Sequence, residues 1–258
     1  FSDLEMSASE VEGMPDKINL NFVVSETKTG AVSFSLSHSN NYGISIGAGI
    51  KEKNIFGSGN TFNTEFKLSD SFNKVSFYFE DPYFNEDGHS ISYGAFASKI
   101  KDDDVMEDSY EISTKGVNFG YGVPISKSSR INADLIYSQN DIKCGSSFSS
   151  SAYENSQCAQ LNPDETKLNL NWSDSTLNDY LYPTDGKSNS INFGIALPVS
   201  DHRYIDLNLS HKSYSPVSND LTLKLSGSMD LLKGYDGKDA PFYKRYFGGG
   251  SGSIRGFG

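Results

Sequence analysis

One feature constrains this 258-residue chain more than any other: an apolar/polar alternation of period two that recurs about eleven times between residues 29 and 229. Period two is the spacing of a strand with one apolar face, because successive side chains leave a strand on opposite sides. In GAVSFSLSH, Val32, Phe34 and Leu36 point one way while Ser33, Ser35 and Ser37 point the other. GISIGAGI repeats this with Ile44, Ile46, Ala48 and Ile50. NTFNTEFKL, KVSFYFE, ISYGAFA and EISTKGVNFGYGV follow, and then RINADLIYS, KLNLNWS, SINFGIAL, YIDLNLS and LTLKLSGSM. The chain is therefore read as all-β, in segments near the ~9 to 11 residues of a tilted membrane-crossing strand.

The face opposite the apolar one decides between a soluble sandwich and a membrane barrel. A sandwich buries its apolar face against a second sheet and charges its outer face with lysine and glutamate. Here the second face is serine, asparagine, threonine and glycine, which suits a water-filled lumen, and leaves the apolar face for lipid. Composition agrees: hydrophobic residues are only 36%, yet aromatics reach 13%, as if apolar residues were rationed to one face and aromatics had an interface to occupy. No run approaches the ~18 apolar residues of a membrane helix. The reading is a transmembrane antiparallel β-barrel. Short connections (54–60, 124–129, 215–220) alternate with longer ones, including 99–110 and about 139–165, as periplasmic turns alternate with extracellular loops. By that parity the chain enters from the periplasm at Thr29. An odd number of strands cannot close such a barrel without bare edges, so a larger barrel is expected.

Residues 1–28 differ. DKINLNFVVSE alternates, but its flank LEMSASEVEGMPD is acidic and soluble in character, so it reads as the closing strand of a small domain before the barrel. FSDLEMSASE is no signal peptide, and Phe1 is expected to lie inside a longer precursor. Cys144 and Cys158 bracket a Ser/Asn-rich segment with no zinc spacing, and a disulfide is the expected pairing. Closing a loop of about 15 residues removes roughly 3 kcal/mol of unfolded-state entropy.

Several functions find no support. A formal charge of -11 argues against tracking nucleic-acid phosphates. His38, His89, His202 and His211 are scattered without metal-ligand or triad spacing, so no enzyme site, metal or cofactor is expected. The acidic run 102–108 reads as a solvated loop rather than a cation site. The glycine-rich end lacks the third glycine and the strand-to-helix context of a nucleotide loop.

Three stretches carry a resemblance. DKINLNFVVSETKTGAVSFSLSHS resembles the hinge between the last POTRA domain and the first barrel strand of the BamA family of outer-membrane protein assembly factors. DYLYPTDGKS, with Tyr182, Pro183, Thr184 and Gly186, is similar to that superfamily's periplasmic turn. APFYKRYFGGGSGSIRGFG looks like its sixth loop, with the motif Ile254, Arg255, Gly256, Phe257 and the tightening glycines Gly248, Gly249 and Gly250. The resemblance implies a POTRA end over 1–28, and over 29–258 about eleven of sixteen barrel strands ending in the sixth loop. Arg255 would dock on an acidic wall, since a buried guanidinium needs bidentate acceptors. One departure is that the cysteines fall in the fourth loop, not the sixth.

The implied function is an insertase without nucleotide hydrolysis, integral to the bacterial outer membrane with its N-terminal segment periplasmic. The first strand, Gly30, Ala31, Val32, Ser33, Phe34, Ser35, Leu36 and Ser37, would form a lateral gate offering its backbone edge to an unfolded outer-membrane client, by β-augmentation. Implied partners are such clients, accessory assembly lipoproteins held through upstream POTRA domains, and outer-membrane lipids and lipopolysaccharide. The alternatives are a dedicated two-partner-type secretion transporter of the same superfamily and a passive porin.

Overall fold

The computed structural model describes residues 3–39, 43–102, 110–144, 162–218 and 220–246. Two sheets account for nearly all of them. The first is a hairpin of β1 (Asp3–Val11) and β2 (Met14–Ser25). The second has eleven antiparallel strands in strict sequence order: β3 (Gly30–Ser39), β4 (Gly43–Glu52), β5 (Thr61–Ser69), β6 (Phe72–Asp81), β7 (Ser90–Asp102), β8 (Tyr110–Pro124), β9 (Ser129–Cys144), β10 (Asp164–Ser175), β11 (Gly186–Ala196), β12 (Tyr204–Ser218) and β13 (Leu221–Gly234). No described helix is long and apolar enough to cross a membrane.

The hairpin corrects one expectation. LEMSASEV is itself a strand: its register sets Leu4 opposite Val24, Met6 opposite Phe22 and Ala8 opposite Leu20. The acidic and serine residues between them hide the alternation, and Gly13, with φ +78°, makes the reversal. Residues 26–29 lie between the two sheets and belong to neither, with the Thr29 carbonyl accepting from Lys53 N–H at 3.3 Å.

In the large sheet the register confirms which residues share a face. Phe34 sits opposite Ala48, Ala48 opposite Phe66, Phe66 opposite Val75 and Val75 opposite Ala97. This outer face is exposed and apolar over its whole width, Phe34 at 82% exposure being the extreme, as a lipid-facing surface requires. The inner face carries Ser33, Ser35, the glycines opposite them and a long series of amides. A cavity of about 380 Å³ opens on it, lined by Tyr78, Glu80, Ser90, Arg130, Asp134 and Asn192 among others.

Strands run longer than the sequence suggested. β7 and β8 extend to Asp102 and from Tyr110, β9 reaches Cys144, and β12 and β13 stay paired out to Ser218 and Leu221. The polar ends of these strands keep pairing backbone where apolar alternation has ceased. One rim of the sheet carries the turns 53–60, 82–89, 125–128, 176–185 and 219–220; the other carries the remaining connections. β3 and β13 are the two edges.

Candidate functional site: the inner wall, the loop base and the first strand

The chain does not run straight off β13 into solvent. Asp236 and Gly237 have φ of +57° and +70°, and Lys238 N–H donates to the Tyr235 carbonyl at 3.2 Å. Positive φ at both central residues is the tight reversal for which Asp-Gly is suited. The returning segment is pinned on both sides. Tyr235 Oη donates to the Ala196 carbonyl at 2.5 Å, Lys238 Nζ to the Asp201 carbonyl at 2.9 Å, and Arg203 pairs with Asp236.

Residues 241–244 then seat on the inner wall. Pro241 is fully buried and starts a short 3-10 turn over Phe242–Lys244. Phe242 is buried against Ile112 of β8 and Ile142 of β9, with the Tyr110 ring edge-on at 5.2 Å. These isoleucines lie on the inner face, an exception to its polarity that has a purpose: they form an apolar seat for one aromatic ring. Full burial of such a side chain contributes roughly 1.5–3 kcal/mol.

Beside the seat lies a buried carboxylate. Glu165, on β10 and 5% exposed, accepts from Tyr204 Oη at 2.8 Å and faces Lys244 Nζ at 3.4 Å. The Lys244 ammonium also lies over the rings of Tyr204 and Tyr243, at 6.0 and 5.7 Å from their centroids. Next along the wall Lys167 and Asp206 form an ion pair at 2.7 Å. Buried charges of this kind are retained only with partners. Two nearby groups outside the strands are shifted. Burial, partly offset by Asp201 and Glu165, holds the His202 imidazole below its ordinary pKa. Partial burial, then Asp206 and Asp230, push the Tyr246 phenol up.

Farther along the wall a ladder of amides ties five strands together. Asn132 donates to Asn171 at 3.4 Å, Asn171 to Asn192, Asn192 to Asn208 at 3.2 Å, and Asn208 to the Asp230 carboxylate. The register makes each pair directly opposite, so the row crosses β9 to β13 at one level.

The first strand is built in the opposite way. Ser33 and Ser35 on β3 face Gly49 and Gly47 on β4, and Ser33 Oγ makes a long hydrogen bond to the Gly49 carbonyl at 3.5 Å. Backbone pairing to β4 holds this strand; its other edge carries no strand among the described residues.

Two side chains, Asn178 and Asp179, do much to organise the turn that includes Tyr182, Pro183, Thr184 and Gly186. Asn178 donates to Thr184 Oγ1 at 2.8 Å and accepts from the Thr184 and Asp185 N–H groups at 3.0 and 3.1 Å. Asp179 accepts from the Tyr182 and Leu181 N–H groups, which hold its carboxyl below the usual range. Gly186 has φ +100°, and a Cβ there would collide with the Thr176 carbonyl. Only glycine fits.

Of the expected site residues, the structure places the first strand and the turn. The loop motif Ile254, Arg255, Gly256 and Phe257, the glycines Gly248, Gly249 and Gly250, and Cys158 lie outside the described residues. Cys144 ends β9 and packs on the Phe242 seat. Sequence reasoning missed Glu165, Tyr204, Phe242, Lys244 and the amide ladder. The ladder had a signal, since KLNLNW, SINFG and DLNLS all set asparagine on the polar face.

The comparisons with known proteins agree with this geometry. Residues 54–258 match the Omp85 superfamily domain. The chain is 27% identical over 269 aligned residues to the outer membrane protein assembly factor BamA of Neisseria meningitidis serogroup B, covering 100% of this chain and 34% of that protein. Among solved structures it resembles BamA from Haemophilus ducreyi lacking POTRA domains 1–3 (TM-score 0.81, 24% identity, 100% of this chain and 51% of that one). It also resembles CdiB from Acinetobacter baumannii (TM-score 0.60, 16% identity, 99% and 48%). The chain thus spans about a third of the curated relative and about half of each solved chain. An all-β wall of consecutive antiparallel strands, apolar outside and polar within, together with a domain match over 54–258, shows that this chain belongs to the Omp85 superfamily.

Proposed function

We propose that this chain is the first part of the barrel of an outer-membrane protein insertase, preceded by the end of a POTRA domain. It works without enzymatic chemistry: β3 offers its backbone edge to a client strand, which pairs with it and is templated into the bilayer. The likeness to BamA supports outer-membrane placement and a role on outer-membrane proteins.

One observation carries the reading. Side-chain coupling across the wall is strongly uneven, with a continuous amide ladder over β9 to β13 and only serine against glycine between β3 and β4. A client strand pairing at the outer edge of β3 leaves the β3–β4 bonds in place and meets only small side chains, Ser33 and Ser35, on the inner face of that strand. Small side chains also impose little register, so clients of different sequence can pair. The turn rim faces the periplasm, accessory lipoproteins bind through upstream POTRA domains, and the outer band meets lipid and lipopolysaccharide. Beyond Tyr246 the sixth loop continues inward, Arg255 meeting acidic wall residues, and Cys144 pairs with Cys158 to close the fourth loop.

The likeness to CdiB favours a second reading, a transporter dedicated to one secreted partner. A passive porin is disfavoured, because Pro241 to Lys244 fill part of the inner wall instead of leaving it open.

Photo-crosslinking in the parent protein distinguishes these. A crosslinker at Ser35 of β3 should capture folding clients of several kinds, and one at Val117 of β8 should capture none. Equal capture at both positions would overturn the reading, and capture of a single secreted protein at Ser35 would favour the transporter.

A further inference from the structure

The turn rim presents an unusual set of side chains. In four of its five connections a rigid frame holds large apolar groups out of the protein. Phe56 is 98% exposed although its φ of +55° lies in the left-handed region, which a bulky residue ordinarily avoids. That conformation is fixed by Asn54, whose carbonyl and side chain accept from Gly57 and Gly59 N–H at 3.1 and 2.6 Å, and by Ile55 N–H donating to the Asn60 carbonyl at 3.0 Å. Tyr83 and Phe84 stand out of the next turn, held by Asp81 at 3.0 Å and the His89 carbonyl at 2.8 Å. Ile125 is exposed in the third. In the fourth, Tyr180 (93%), Leu181 and Tyr182 are exposed on the loop that Asn178 and Asp179 organise.

The opposite rim differs. Its described connections 70–71 and 197–203 carry Asp70, Ser71, Asp201 and Arg203, with Val199 as their exposed apolar side chain.

The turn groups are also continuous with the lipid-facing band. Within a few residues of the same turns, Phe62, Phe79, Tyr93 and Phe119 stand directly opposite one another across β5 to β8 on the outer face, Phe79 and Tyr93 stacked at 4.9 Å. Aromatic rings at such a level occupy the boundary between hydrocarbon and headgroups.

We propose that the turn rim is a membrane-seated collar: Phe56, Tyr83, Phe84, Ile125 and the Tyr180 to Tyr182 loop insert among the phospholipid headgroups of the adjoining leaflet and fix the height of the barrel beneath its mobile edge. The proposal rests on the membrane-barrel reading. Backbone strain at Phe56 is then the cost of aiming an aromatic ring at lipid, and the rigid frames keep the collar in place while strands at the edge exchange.

Spin labels test it in the parent protein reconstituted in phospholipid bilayers. Labels are attached after Phe56→Cys, Tyr83→Cys, Leu181→Cys, Phe77→Cys and Lys127→Cys, one at a time, in a background with Cys144 and Cys158 replaced by serine. Phe77 lies in the outer band and Lys127 is a polar turn tip. The collar predicts that labels at 56, 83 and 181 meet oxygen severalfold more than an aqueous nickel chelate, as the label at 77 does, while the label at 127 shows the reverse. Labels at 56, 83 and 181 that behave like 127 would overturn it, and so would labels shielded from both reagents, which would mean that a protein covers this rim. An aqueous signal at 77 as well would overturn the membrane reading itself.

Discussion

The Tyr204 hydroxyl donates to the Glu165 carboxylate at 2.8 Å, joining β12 to β10 beneath the returning loop, with Lys244 of that loop on the other carboxylate oxygen. Both wall residues are buried, so neither polar group has water as a ready substitute. The pair is a seat made by the wall for a segment that follows β13.

Replacing Glu165 by Ala should therefore strand the Tyr204 hydroxyl and cost about 1–3 kcal/mol. Glu165→Gln keeps an acceptor for Tyr204 and should lose less, while weakening the hold on Lys244. Hydrogen exchange of residues 241–246 in the parent protein is the readout. Faster exchange there, with β5 to β8 unchanged, is expected; uniform loss of protection would mean that Glu165 supports the wall and not the loop.

Acidification should loosen the same seat. Burial depresses the folded His202 pKa below its unfolded value, so between the two the unfolded chain binds more protons. Its contribution is intact above the ordinary histidine range and is lost as pH falls through the folded value. Protection of residues 241–246 should fall from pH 7.5 to pH 5, and His202→Gln should flatten that dependence. An unchanged pH profile in the variant would assign the effect to other groups.

The turn at 176–185 offers a test of local order. Asn178→Ala removes one donor and an acceptor shared by two backbone N–H groups, and Gly186→Ala drives a Cβ into the Thr176 carbonyl. Both should speed proteolysis at Tyr180 to Tyr182, Gly186→Ala more, with the rest of the barrel resistant. Cleavage rates equal to the parent's would show that the frame is held by something else.

Thiol chemistry tests the fourth loop. Cys144 and Cys158 should resist maleimide in the native parent protein and react after reduction. Immediate labelling of the native protein would rule out the pairing.

Much of the wall was legible because a barrel strand repeats one rule. Val32, Phe34 and Leu36 against Ser33, Ser35 and Ser37 state it, and pairing in strict sequence order propagates it to β13. Some strand ends were not legible, since Lys99, Lys101 and Asp102 of β7 and Asp141 and Lys143 of β9 are charged residues that pair by backbone where the sequence suggested a loop. Nor was the loop seat. Ile112 and Ile142 look like ordinary strand residues, and only the register, which sets them opposite each other on the inner face, reveals a site for Phe242. Glu165 has the same character: a single carboxylate among many acids becomes special through its burial beside Tyr204 and Lys244. The turn was recognised from Tyr182, Pro183, Thr184 and Gly186, but Asn178 and Asp179, which hold it, came just before the stretch that drew attention or at its first residue.

The central claim is that the edge at β3 must open for clients to fold. The measurement that tests it most directly is the folding rate of an unfolded outer-membrane barrel into liposomes carrying the parent protein, beside a variant whose first and last barrel strands are locked by an engineered disulfide. The account predicts acceleration by the parent, its loss in the locked variant and its return on reduction. Acceleration that persists in the locked variant, or none from the parent even with accessory subunits supplied, would contradict it.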